Sequence, residues 1–260
     1  MQLETNFAYI DENYKRIIDT MEEAKAKYRK PTDEITLMAV TKTVAPEAVN
    51  HAVACGIHTL GENRVQEYLS KKEFYAKDAS VHFIGHLQTN KVKYIIEDMD
   101  LIHSVDSIRL AKQISDEAQK QSIEIPVLLE VNVAREESKF GFFTEETEDA
   151  CREISKMPGI RVKGLMTSAP FVENAEDNRK YFKKLYELYD IYGTNSSVWN
   201  TYLQNPSKEI SKENTLNDIV TTIKGVDLET VQNGIQNMQK AISLLQDIGI
   251  GKAKDIPKST

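Results

Sequence analysis

Short apolar runs alternate with amphipathic segments along the chain as far as residue 193. The first run, ITLMAV at 35–40, has no polar alternation, which is typical of a parallel strand buried on both faces. Five more runs follow, each separated from the next by a segment with helical spacing: IHTLGE, VHFIGH, LIHSVDS, PVLLEVNV and RVKGLMT. This pattern predicts six parallel βα units, two fewer than a closed eight-stranded barrel contains.

Helical segments are predicted before the first strand and after each strand. An amphipathic helix over 6–29 comes first and ends at the breaker Pro31-Thr32-Asp33. The next helix has Pro46 near its first turn and Gly56 at its C-terminal cap. The helices between and after the strands are expected at 45–56, 65–76, 89–96, 108–121, 144–157 and 174–192.

The pattern changes at Gly193. The sequence beyond it is polar and rich in turn residues, and it leads into two amphipathic helices with no apolar strand between them. We therefore predict two domains, a truncated (β/α) barrel over 1–193 and a helical C-terminal extension over 194–260. The predicted fold class is α/β, a parallel barrel of the TIM type with about six strands.

Composition and charge narrow the possible partners. The 260 residues carry a formal net charge of −7, which makes a nucleic-acid or anionic-membrane surface an unfavourable main function. No window approaches the length of a membrane span, and the N-terminus has no apolar core of signal-peptide length, so we expect a cytoplasmic protein. Cys55 and Cys151 are expected to be reduced thiols, with no histidine or second cysteine at ligand spacing.

Polar residues follow every predicted strand. Because ligands bind at the carboxyl ends of parallel strands, we expect these residues to share one rim. They are Lys42, 61–63, 85–91, Ser104, Asp106, Asn132, Arg135, Lys139 and 166–168. Lys42 ends an apolar run, so its amine either reaches solvent along its methylene stem or is held at the mouth of a pocket to react.

Metal and hydrolase chemistry are not expected. His58, His82 and His103 lie within or beside strands and lack carboxylate or cysteine neighbours at ligand spacing, so they are interpreted as structural and no metal is predicted. The GLMTSAP segment contains Ser168 but no G-x-S-x-G elbow, which disfavours a serine hydrolase. No catalytic residue is assigned.

Six motifs in a fixed order resemble the pyridoxal phosphate homeostasis proteins, small single-domain relatives of the alanine racemase barrel. The motifs are AVTKTV, GENRVQE, HFIGHLQTNKVK, HSVDS, VNVAREESKFGF and KGLMTSAPF. The resemblance covers residues 7–189. It implies a barrel of the alanine racemase type and a role in intracellular homeostasis of pyridoxal 5′-phosphate (PLP).

The resemblance also implies site residues. Lys42 matches the lysine that holds PLP as a Schiff base, and partial desolvation at a strand end would favour the neutral amine that attacks an aldehyde. Asn63 and Lys91 resemble residues at the cofactor rim, and Met166 resembles one that packs near the ring. Nothing matches the acid/base tyrosine of full racemases, so the implied role is that of a carrier or regulator without turnover, with PLP-dependent apoenzymes as partners.

The chain departs from this family after YELYDIYG. Segments similar to SMGMS and RIGTAIFG, which supply the phosphate cup and an arginine near the pyridine nitrogen in the family, are absent here. The tail instead resembles a small Gram-positive family of spore-coat proteins, as in a fusion of two pieces near 186–193.

Two other functions stay open. One is a PLP-dependent racemase or decarboxylase acting on an amino acid, which needs a second acid/base group. The other is a fused chain that does not bind the cofactor, in which the tail acts in assembly and open strand edges promote self-association.

Overall fold

The structure is a computed structural model that describes residues 7–30 and 34–192. The helical extension predicted over 194–260 lies outside the described residues, and the division into two domains stays a prediction. No helix in the described ranges is long and apolar enough to cross a membrane.

Six parallel strands form a single sheet in which neighbours in space are neighbours in sequence. The strands are β1 (Met38–Val40), β2 (Thr59–Glu62), β3 (Ser80–Phe83), β4 (Leu101–Val105), β5 (Ile125–Glu130) and β6 (Ile160–Met166). This order is that of successive βα units in a barrel, so the six predicted strands and the α/β fold class are confirmed. Within the described residues, β1 and β6 each have one unpaired edge, and self-association through these edges stays a prediction.

Six α-helices accompany the strands in the described residues. They are α1 (Ala8–Tyr28), α2 (Pro46–Ala54), α3 (Val65–Lys71), α4 (Ile108–Gln121), α5 (Thr147–Ile154) and α6 (Arg179–Tyr192). α1 has a half-buried face but no fully buried side chain. α4 has a capped N-terminus, because the Ser107 side chain accepts a hydrogen bond from the Leu110 N–H.

The limits of several elements differ from the predicted ones. β1 begins at Met38 rather than Ile35, because its partner β2 begins at Thr59 and the residues before Met38 therefore have no ladder to join. The helix expected at 89–96 is present but shorter, as a 3₁₀-helix over Thr89–Tyr94. Its tight turns bury Val92 completely within a short connection to β4.

The core lies between the sheet and the helices that cover its outer face. Fully buried side chains from the strands include Leu60, Phe83, Ile102 and Leu129, and α4 contributes Ile114. Residues on the opposite face of β1 are less buried, and Val40 is 50% exposed. The packed outer face fixes the strands, and the strand ends in turn fix the rim that carries the candidate site.

Candidate functional site

A cavity of about 410 Å³ lies beyond the carboxyl ends of β2 and β3. It is lined by Asn63, Arg64, Val65, Gln66, Glu67, His86, Gln88 and Lys91. Its volume is within the range of small-molecule sites. The structure therefore brings two of the predicted site residues, Asn63 and Lys91, into one cavity.

The cavity lining contains two cationic side chains and one carboxylate. Within the described residues, Arg64 and Lys91 form no ion pair, while the ammonium of Lys91 lies 5.7 Å from the centre of the Tyr94 ring. The carboxylate of Glu67, by contrast, is paired with Lys71 at 2.5 Å. An anion entering this cavity would meet two cations that form no close ion pair within the described residues, although Arg64 also attracts the Glu67 carboxylate, and this favours a phosphate or carboxylate ligand.

Lys42 lies in the turn that follows β1, beside this cavity but not in its lining. The next residue, Thr43, donates its backbone N–H to the Glu67 carboxylate, which does line the cavity. The Lys42 side chain is exposed, so the expected partial desolvation was wrong for the described residues. The physical reason is that β1 is an edge strand of the described sheet, and no described strand covers its outer side.

A buried polar network lies behind the Lys42 turn. Glu62 is fully buried, and its Oε1 accepts hydrogen bonds from the Thr41 hydroxyl at 2.6 Å and from the Tyr75 hydroxyl. Burial, followed by the hydrogen bond to Glu62, raises the pKa of Tyr75 far above its usual range, which keeps Tyr75 a donor. The second oxygen of Glu62 has no hydrogen-bond partner among the described residues. Sequence patterns gave no sign of this network, because its members come from separate parts of the sequence: Thr41 follows β1, Glu62 ends β2 and Tyr75 follows a 3₁₀ turn.

Met166 lies away from the cavity. It is half-buried at the end of β6, at the opposite edge of the sheet from β1, and it lines neither this cavity nor the smaller one described next. Met166 therefore does not join Asn63 and Lys91 in the cavity lining, and its role near the cofactor ring stays a prediction.

His86 connects the cavity to a second, smaller one of about 300 Å³ beyond the ends of β3 and β4. Its ring stacks on Phe140 with centroids 3.7 Å apart, and its Nδ1 lies 2.8 Å from the Asp106 carboxylate. Asp106 is nearly buried, whereas His86 is partly exposed. Stacking on Phe140 and the contact with Asp106 hold the His86 ring at the rim.

Glu130, at the end of β5, titrates unusually. Burial, followed by repulsion from Asp106, raises its pKa from 4.5 to about 7, and Lys139 opposes the shift. At a pH between these two pKa values, Glu130 is more protonated in the folded chain than in the unfolded chain. The free energy of unfolding therefore falls as pH rises. The stabilisation is complete below about pH 4.5 and is lost as pH rises through 7.

Glu130→Gln should remove this pH dependence. Between pH 4.5 and pH 8, the free energy of unfolding of the parent should fall by on the order of 2 kcal/mol more than that of the variant. Urea unfolding at the two pH values measures the gain, and Glu137→Gln, at an exposed position on the following loop, is the control. Parallel pH profiles for the parent and Glu130→Gln would contradict the assignment.

The histidines of the barrel strands behave as structural groups. Nδ1 of His82 and Nε2 of His103 lie 3.0 Å apart, and the other nitrogen of His82 lies 3.2 Å from the Ser80 hydroxyl. Burial lowers the pKa of both rings, to about 4 for His103, so both are neutral near pH 7. This agrees with their interpretation as satisfied histidines.

Cys55 does have a histidine at ligand spacing, contrary to the sequence interpretation. His51 and Cys55 are one turn apart at the end of α2, and Oδ1 of Asp11 from α1 lies 2.9 Å from His51 Nε2 and 3.1 Å from Cys55 Sγ. These three ligand atoms lie within 4.8 Å of one another. The proximity of Asp11 could not be read from the sequence, because it depends on how α1 packs on α2.

Comparison with known proteins identifies the family. Residues 12–200 match the family model for the N-terminal domain of alanine racemase, which is well over half of the chain. The chain belongs to this family. Within it, the pyridoxal phosphate homeostasis protein of Aquifex aeolicus is 42% identical over 180 residues, covering 69% of this chain and 79% of that protein. The resemblance drawn from the six motifs is therefore confirmed.

Solved structures give the same assignment. An unknown protein from Bifidobacterium adolescentis superposes with a TM-score of 0.68 at 31% identity, covering 74% of this chain and 81% of that one. PipY from Synechococcus elongatus with PLP bound gives a TM-score of 0.54 at 25% identity, covering 70% of this chain and 82% of that one. The family's barrel architecture accounts for the six parallel strands.

A second family model, described as "Putative coat protein", matches residues 163–254. It overlaps the first match over 163–200, so α6 and the last four residues of β6 fall in both. The predicted resemblance of the tail to a coat-protein family is thus present, but the match spans about a third of the chain and most of it lies outside the described residues.

Proposed function

We propose that this protein binds pyridoxal 5′-phosphate and takes part in intracellular PLP homeostasis, with the cofactor held as a Schiff base on Lys42. The observation that carries the proposal is the cationic cavity beside the Lys42 turn, which contains Asn63 and Lys91. The homeostasis role for which the Aquifex aeolicus relative is named and the PLP bound to PipY support it.

The residues present fit such a ligand. Arg64 and Lys91 offer two unpaired cations for a phosphate, and the buried Oδ1 of Asn63, which has no partner among the described residues, can accept a hydrogen bond. When bound, PLP supplies an aldehyde that condenses with a primary amine, forming a C=N bond and releasing the aldehyde oxygen as water. Lys42 is the primary amine next to the cavity on the β1 side, and its exposure leaves it free to reach a ligand there.

We further propose that the protein acts in the cytoplasm as a carrier without turnover and delivers PLP to apoenzymes that depend on it. An accessible lysine at the edge of an open cavity suits reversible loading and release, because a bound cofactor there is reached by water and by competing amines. The name of the relatives, which describes homeostasis rather than a reaction, supports this reading.

Lys42→Ala should abolish covalent attachment of PLP. Purified protein is mixed with PLP, the C=N bond is reduced with borohydride, and the modified peptide is located by mass spectrometry. We expect the modification on Lys42 in the parent and a loss of at least tenfold in the variant, because the reacting amine is absent. Lys77→Ala, at an exposed lysine outside the cavity lining, is the matched control and should retain full modification.

The experiment also has a clear negative result. Modification spread evenly over exposed lysines, or equal modification in the parent and in Lys42→Ala, would contradict the assignment of Lys42. Visible absorbance of the unreduced mixture provides a second measurement that does not depend on peptide recovery.

A further inference from the structure

Two residues one turn apart on α3 hold the backbone on both sides of Lys42. We propose that Glu67 and Lys71 are positioning residues for the Lys42 amine, an inference that rests on the proposed Schiff base at Lys42. We do not expect either residue to contact the reacting atoms of the cofactor. Their role is to fix the turn from which the lysine side chain extends.

The residue before Lys42 is held by Lys71 and by the sheet. The carbonyl of Thr41 accepts hydrogen bonds from the Lys71 ammonium at 3.0 Å and from the Val44 N–H at 3.1 Å. Its N–H donates to the Gly61 carbonyl at 3.0 Å, which extends the pairing of β1 with β2. Thr41 is 3% exposed, so this end of the turn is anchored inside the protein.

The residue after Lys42 is held by Glu67. Thr43 has a φ of 61°, in the left-handed region that β-branched residues rarely adopt, and its N–H donates to the Glu67 carboxylate. A left-handed conformation of this kind costs on the order of 1–3 kcal/mol and persists only where the surroundings enforce it. The hydrogen bond that the Thr43 N–H donates to Glu67 is a contact from outside the turn that stabilises this conformation.

The two holding groups are joined to each other. The Lys71 ammonium lies 2.5 Å from Glu67 Oε1 and 3.8 Å from Oε1 of the buried Glu62, and the Lys71 residue is 8% exposed. Hydrogen bonds from Lys71 and from the Thr43 N–H lower the pKa of Glu67, so its carboxylate stays charged. Lys71 is buried and Glu67 is partly buried, so solvent screens this charge-assisted pair less than a fully exposed one, and the pair links the two sides of the turn.

This bridge has a direct consequence for an exposed lysine. The Lys42 side chain has many rotamers, and fixing its backbone removes two backbone degrees of freedom that would otherwise have to be ordered during the reaction. Without this constraint the amine would sample more positions relative to a ligand in the cavity, and fewer of them would allow reaction. Glu67 lines that cavity and also accepts the hydrogen bond from the turn, so it fixes the position of the turn relative to the cavity wall.

Glu67→Ala should slow Schiff-base formation roughly tenfold, because it removes the acceptor that holds Thr43. Glu67→Gln keeps an acceptor oxygen and should lose less. Thr43→Asn tests the cause directly, since asparagine adopts the left-handed conformation far more readily than threonine. The double variant Thr43→Asn/Glu67→Ala should therefore recover at least part of the lost rate, a recovery that a general loss of stability would not give.

Glu148→Ala is the matched control. Glu148 forms an ion pair with Arg152 at the same i, i+4 spacing, 2.9 Å, on α5. Its removal should leave the rate of Schiff-base formation unchanged, while urea unfolding reports whether each variant is folded. An unchanged rate in folded Glu67→Ala, in a parent that does react at Lys42, would overturn the positioning role and leave the proposed function intact.

A measurement without cofactor separates the two proposals. The Thr43 amide lies in an exposed turn, so its exchange with solvent should be fast unless the Glu67 hydrogen bond protects it. We expect roughly tenfold or greater protection in the parent and its loss in Glu67→Ala, measured by nuclear magnetic resonance. An unprotected Thr43 amide in the parent would overturn the inference whether or not PLP binds.

Discussion

Replacing Phe83 with alanine is expected to lower the free energy of unfolding by about 3–5 kcal/mol. Phe83 ends β3 with no exposed surface and lies at the centre of the core beneath the rim. Truncation removes a large apolar side chain from the middle of the sheet, and close-packed neighbours can collapse only partly into the cavity that is left. Urea unfolding monitored by circular dichroism measures the loss.

Phe74 provides the matched control for this substitution. It is 64% exposed in the 3₁₀ turn Lys72–Phe74, so Phe74→Ala removes the same atoms with little loss of packing. We expect a change within about 0.5 kcal/mol. Equal effects at Phe83 and Phe74 would mean that β3 is not central to the core.

The order of strands was readable from the sequence because parallel strands buried on both faces form uninterrupted apolar runs. Each run in this chain is bounded by turn residues and followed by a segment of helical period, so the βα units could be counted. The limits of β1 could not be read in the same way. They depend on where β2 begins, and the pairing of Met38 with Thr59 is a contact between distant parts of the sequence.

Two of the four predicted site residues could be placed from the order of the strands. Asn63 and Lys91 follow strands, and topology alone places strand ends on a common rim. The supporting residues were not predictable, because Glu67 and Lys71 at i, i+4 on α3 have the pattern of a solvated helix face. Only the packing of α3 against the β1 turn buries Lys71 and gives both residues partners there. The exposure of Lys42 was misjudged because a sequence shows that a strand ends but not which strands cover it.

Gly85 packs closely against the backbone of Asn63, a residue of the candidate site. A Cβ at this position would lie 2.3 Å from the Asn63 carbonyl oxygen and 2.7 Å from the Asn63 Cα. Neither backbone can move aside easily, because the Ile84 N–H donates to the Glu62 carbonyl at 2.8 Å and the Gly85 carbonyl accepts from the Ser104 hydroxyl. The absence of a side chain at Gly85 therefore allows Asn63 to sit at the cavity.

Gly85→Ala should consequently cost about 3 kcal/mol in free energy of unfolding and weaken PLP binding roughly tenfold, because Asn63 must shift. Gly61→Ala is the control on the neighbouring strand. Its Cβ would approach only the ends of flexible side chains, Met38 Sδ at 2.7 Å and Ile84 Cδ1 at 2.9 Å, which can rotate away. Urea unfolding and equilibrium titration with PLP measure the two effects. Were Gly85→Ala to bind PLP as tightly as Gly61→Ala, the placement of Asn63 against Gly85 would have no part in holding the cofactor.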